Sequence, residues 1–167
     1  MKSLLVVAVA LIVNSAAASS RSQPQTGESC EIRNAEFNTD YLYMSAGWVS
    51  QNPILWPVRP QLASRRKQYG KWRVEQRELS GKTHYKLWNH GADAYLVAKG
   101  DSVESRKTSG GSNSEILWKV ERQGESEGVT LQQNRKFLLA KEDKSGEERE
   151  LKMNSRSNKA AKWIITC

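Results

Sequence analysis

Three kinds of short string recur along the chain, each three times and always in the same order. The first is Glu31-Ile32-Arg33, Tyr85-Lys86-Leu87-Trp88 and Val129-Thr130-Leu131-Gln132. The second is Tyr41-Leu42-Tyr43-Met44, Tyr95-Leu96-Val97-Ala98 and Phe137-Leu138-Leu139-Ala140. The third is Lys71-Trp72-Arg73-Val74, Leu117-Trp118-Lys119-Val120 and Lys162-Trp163-Ile164-Ile165. Apolar and polar residues alternate in these strings, or a few apolar residues stand between turn formers, and both patterns predict β-strands. Beyond the N-terminal segment no stretch carries the apolar stripe of a helix. Gly81, Gly124 and Gly128 supply turn backbone at the joins. Each repeat therefore reads as strand, loop, aromatic-leucine strand, loop, tryptophan strand.

The three repeated tryptophans stand 46 and 45 residues apart. A period in the mid-forties signals a repeat architecture. Three repeats are too few for a propeller, which needs about four blades. They fit an all-β fold of the β-trefoil type, a closed barrel capped by hairpins. The expected domain is 30–167, with repeats at roughly 30–79, 80–125 and 126–167. Each tryptophan strand would pair with the first strand of the next repeat. The third has no successor, so closure pairs Trp163–Cys167 with Cys30–Arg33.

The N-terminus changes the compartment. Lys2, the apolar run from Leu4 to Val13 and the small residues Ser15-Ala16-Ala17-Ala18-Ser19 form the three-part pattern of a secretory signal peptide. Residues 1–18 are assigned to it, with cleavage after Ala18 or Ala17, and 19–29 form a short N-terminal segment. No second apolar stretch offers a membrane anchor, and the expected location is extracellular. Cys30 and Cys167 are the only cysteines. In an oxidising compartment they most simply form one disulfide, at the closing seam of the barrel. Two free or intermolecular thiols are the alternative.

Charge and aromatic content bear on function. The formal net charge is +8, from 26 Lys and Arg against 18 Asp and Glu, which favours anionic partners. Of six tryptophans, the period-locked Trp72, Trp118 and Trp163 read as core. Trp48, Trp56 and Trp88 are not repeated. Trp48 and Trp56 fall in an insertion of the first repeat, and function on a regular scaffold concentrates in such departures. Arg59, Arg65, Arg66, Lys67, Lys71 and Arg73 follow as the densest basic stretch. The candidate ligand-binding residues are thus Trp48, Trp56, Arg59, Arg65, Arg66, Lys67, Lys71 and Arg73. Exposed indole stacks on sugar faces, and guanidinium or ammonium groups hold acidic ones. A loop folded back on its barrel end and a solvated basic face are the bland alternatives.

Catalysis finds little support. His84 and His90 match no zinc spacing, and nucleophile-elbow, dinucleotide and P-loop motifs are absent. A non-enzymatic monomer without cofactor or metal is expected. Nucleic acid is disfavoured as a partner, because the repeated aromatics serve the core rather than a stacking platform.

The string Tyr95-Leu96-Val97-Ala98, Val103, Ser114-Glu115, Trp118-Lys119-Val120 resembles a repeat of fascin-type and ricin-type β-trefoils. The whole chain, with its leader, two cysteines and many tryptophans, resembles the secreted Cys/Trp-rich 16 kDa salivary proteins of blood-feeding mosquitoes. That resemblance implies a trefoil delivered into a host, with host glycans or other anionic host molecules as partners. A non-lectin antagonist of a host haemostatic protein or small anionic mediator is the alternative. Ricin-type lectins carry Gln two residues before the repeat tryptophan. Gly70, Ile116 and Ala161 stand there instead, so no sugar site carries over residue by residue.

Overall fold

The computed structural model describes residues 26–45, 52–107, 113–122 and 128–167. The leader assigned to 1–18 and Trp48 lie outside them. The described residues form twelve strands. They are β1 (Gly27–Asn34), β2 (Tyr41–Met44), β3 (Pro53–Trp56), β4 (Trp72–Leu79), β5 (Lys82–Asn89) and β6 (Ala94–Lys99). There follow β7 (Ser102–Arg106), β8 (Trp118–Arg122), β9 (Val129–Gln133), β10 (Lys136–Ser145), β11 (Glu148–Asn154) and β12 (Lys162–Thr166). The other regular elements are short 3-10 turns, among them Lys67–Gly70, Asn113–Ile116 and Lys159–Ala161. No helix of the described residues is long and apolar enough to cross a membrane.

All the strand pairings are antiparallel, and they close on themselves. β1 pairs with β4, β4 with β5, β5 with β8, β8 with β9, β9 with β12, and β12 returns to β1. Closure removes the open edges that a sheet would otherwise present. The hairpins β2–β3, β6–β7 and β10–β11 join this ring through β1, β5 and β9. The tryptophan-bearing strands β4, β8 and β12 pair with β5, β9 and β1, as expected. At the seam, Glu31 faces Thr166 and Asn34 faces Trp163. Cys30 and Cys167 are bonded there.

The apolar and polar pattern of the sequence predicts loops where β3, β7 and β11 form. β3 opens on a proline, β7 holds one apolar residue, Val103, and in β11 the buried alternation starts at a charged residue, Arg149. Arg149 is buried because its Nε donates to Asp40 at 3.0 Å and its guanidinium lies 3.6 Å from the Phe37 ring centroid.

Trp72, Trp118 and Trp163 are fully buried in one hydrophobic core. Each indole Nε1 donates to a leucine carbonyl of the aromatic-leucine strand before it: Trp72 to Leu42 at 2.9 Å, Trp118 to Leu96 at 2.8 Å, Trp163 to Leu138 at 3.0 Å. The polar edge of a large core residue is thereby satisfied.

A second set of side chains recurs in the same way. Buried Asn34, Asn89 and Gln133 end β1, β5 and β9. Each donates to a 3-10 turn of another segment: Asn34 to the Ala160 carbonyl at 2.9 Å, Asn89 to Tyr69 at 2.8 Å, Gln133 to Glu115 at 2.8 Å. Each also accepts a backbone N–H through its side-chain oxygen, Asn89 from Gly91 and Ala92. Asn89→Ala would leave several buried backbone groups unpaired. A stability loss of about 2–3 kcal/mol is expected in urea denaturation.

Candidate functional site

The residues singled out from sequence separate into three places. Arg59 and Lys71 turn onto Glu31 of β1, where Nε of Arg59 donates at 2.9 Å and Nζ of Lys71 at 2.8 Å. The Glu31 and Lys71 side chains keep 6% and 10% of their exposure, against 48% for Arg59. Burial alone would raise the Glu31 carboxyl. Hydrogen bonds from Lys71 and Arg59 outweigh it and hold the group below its ordinary value. Lys71 therefore serves an internal ion pair and does not join Arg73 on a solvent-facing patch.

Trp56 sits on β3 rather than in a loop. Its Nε1 donates to Glu147 at 3.2 Å, and its ring meets Tyr43 edge to face with centroids 5.4 Å apart. The Arg66 guanidinium lies 4.9 Å from the indole centroid and pairs with Glu148 at 3.2 Å. The Tyr43 hydroxyl donates to the Val58 carbonyl at 2.7 Å. Trp56 and Arg66 thus fasten the long connection after β3 to the β10–β11 hairpin. Arg65 and Lys67 remain exposed beside them.

Arg73 belongs to a third place, which sequence reasoning did not assemble. It faces Trp88 across β4 and β5, Trp88 faces Tyr95 across β5 and β6, and Tyr95 faces Arg106 across β6 and β7. Residues directly opposite on antiparallel strands share a face. The four side chains therefore form one outward row, two aromatics between two guanidiniums, and all four are half-buried. The Arg73 guanidinium lies 4.7 Å from the Trp88 ring centroid, and His90 meets that ring edge-on at 4.8 Å. Arg73 pairs with Glu75 at 3.1 Å, and Arg106 with Glu104 at 3.1 Å and with Glu115. Trp88 stands out in the sequence as an unrepeated tryptophan and Arg73 as part of a basic stretch, but only strand register brings them into one row with Tyr95 and Arg106.

A cleft of about 300 Å³ opens elsewhere on the barrel wall, lined by residues that include His84, Lys119, Gln132, Asn134 and Arg135. His84 faces Lys119, and Lys119 faces Gln132, across β5, β8 and β9. Among the described residues, no group of three or more His, Cys, Asp and Glu side chains is placed to hold a metal ion.

The three positions two residues before the repeated tryptophans are all buried. A Cβ at Gly70 would lie 2.6 Å from both Pro60 Cγ and Tyr43 Cε1. Glutamine has no room there, so packing accounts for its absence at position 70.

No protein-family model and no curated protein matches the sequence. Solved structures match the fold. Cry35Ab1 aligns with a TM-score of 0.64 and 16% identity over 85% of this chain and 36% of its own. This chain therefore spans about a third of that protein. The cytolethal distending toxin from Actinobacillus actinomycetemcomitans aligns with 0.66 and 7% over 83% and 90%. SeviL, solved bound to asialo-GM1 saccharide, aligns with 0.61 and 17% over 85% and 98%. At these identities the likeness establishes the fold, an all-β closed barrel of trefoil-like form, and leaves function to the site.

Proposed function

We propose that this chain is a secreted, non-enzymatic glycan-binding protein built as a β-trefoil of three repeats, acting on host molecules during blood feeding. The threefold recurrence of the indole and carboxamide hydrogen bonds supports the repeat reading. The salivary role rests on the sequence resemblance alone.

The observation that carries the glycan reading is the row Arg73, Trp88, Tyr95 and Arg106. Half-exposed rings in register offer an apolar surface to the C–H face of a pyranose. The flanking guanidiniums offer donors to its hydroxyl or acidic groups. SeviL, of the same overall form, is solved with a saccharide bound, which supports the reading.

The test is a glycan array with the mature, oxidised protein at low and near-physiological salt. Hits that persist in salt are expected, and Trp88→Ala and Tyr95→Ala are each expected to weaken them about tenfold. A blank array would overturn the reading and favour a host protein or small mediator as target. Unchanged hits in both variants would remove the row from it.

A further inference from the structure

We propose a second, separate binding site in the cleft against β5, β8 and β9, and assign it the sulfate ester of a sulfated glycan. The choice of a glycan as carrier rests on the reading above. The oxyanion assignment rests on other residues and stands apart from the row.

The cleft gathers basic side chains. Lys119 and Arg135 line it beside the His84 imidazole, and Arg77 faces His84 from the neighbouring strand. None of its described lining residues is a carboxylate. Lys119 pairs with Glu121, and Arg77 with Glu75 at 3.3 Å. Arg135 pairs with no carboxylate among the described residues. The carboxamides of Gln132 and Asn134 add neutral donors to the same walls. Donors gathered around a cleft whose described lining holds no carboxylate suit a group that is acceptor on every side and always ionised. A sulfate ester is such a group, and the open cleft lets the rest of a chain run past it.

The backbone points the same way. Asn134 and Arg135 are the central residues of the tight turn from β9 to β10, with φ of 52° and 62°. Such turns favour asparagine followed by glycine. A left-handed conformation at arginine is strained where glycine would be relaxed. The chain nevertheless sets its longest cation at this position, on the rim of the cleft.

The arginine therefore has a substitution that separates function from folding. Arg135→Gly removes the guanidinium and relieves the turn. Titration of a heparin-derived sulfated tetrasaccharide into the oxidised protein is expected to show binding that weakens about tenfold in Arg135→Gly. The melting temperature of that variant should hold or rise. Glu121→Gln, which frees Lys119, is expected to strengthen binding. Trp88→Ala should leave this binding in place while weakening array hits, so the two readings fail independently. Equal affinity for the desulfated tetrasaccharide, or wild-type affinity in Arg135→Gly, would overturn the proposal. Tighter binding of mannose 6-phosphate would overturn the choice of sulfate over phosphate.

Discussion

Replacing Glu31 with alanine is expected to lower stability by about 3–5 kcal/mol in urea denaturation, through the ammonium it strands. Lys71 Nζ lies 2.8 Å from the Glu31 carboxylate, and both side chains are nearly closed to solvent. Remove the carboxylate and the charge of Lys71 has neither water nor a partner. Arg59, half exposed, reaches solvent and contributes little. Acid should act on the same pair. The folded carboxyl of Glu31 lies below its ordinary value. Its contribution is therefore full above the unfolded value, about 4.3, and is lost as pH falls through the folded one. Wild type should lose stability over that acid range more steeply than Glu31→Gln. Parallel acid profiles for the two proteins would show that the pair is not what holds the long connection to β1.

Removing the disulfide is the second large perturbation. Cys30 and Cys167 are 137 residues apart in sequence, and in the chain-entropy model closure of so long a loop contributes about 4–5 kcal/mol. Denatured-state structure reduces that figure. The double variant Cys30→Ala with Cys167→Ala is expected to melt roughly 10 °C lower. Its loss should be concentrated at the β1–β12 seam. Hydrogen exchange should therefore speed up first in Gly27–Asn34 and Lys162–Thr166, which this ladder and the bond join. Uniform acceleration through β5, β8 and β9 would show that the ring opens as one unit.

The fold was legible because its period is written in large residues. Trp72, Trp118 and Trp163 recur at nearly fixed spacing, and each needs the same carbonyl partner in the core. The carboxamides that recur beside them were not legible. Asn34, Asn89 and Gln133 differ in side-chain length, and asparagine at a strand end reads as a turn former. β11 was hidden for a related reason, since the buried Arg149 breaks an alternation that depends on apolar residues.

The candidate sites were legible only in part. Proximity in sequence made Arg59, Arg66, Lys71 and Arg73 look like one patch. The structure sends Arg59 and Lys71 to Glu31, Arg66 to Trp56 and Arg73 to Trp88. Arg73 and Arg106 are 33 residues apart in sequence yet end the same row. A linear reading ranks charges by density, whereas register decides which charges and rings share a face.

The bond at the seam also turns most of the polypeptide into a covalent loop. Exposed turns such as Ser80-Gly81 are natural points of proteolytic attack. A single cut there divides the chain without dividing the molecule, because both fragments remain tethered through Cys30 and Cys167. Release of a piece requires a second cut or a reductant. Nicked protein should therefore run as one species on a non-reducing gel and as two after reduction, and the first encounter with a protease need not be the last moment of function.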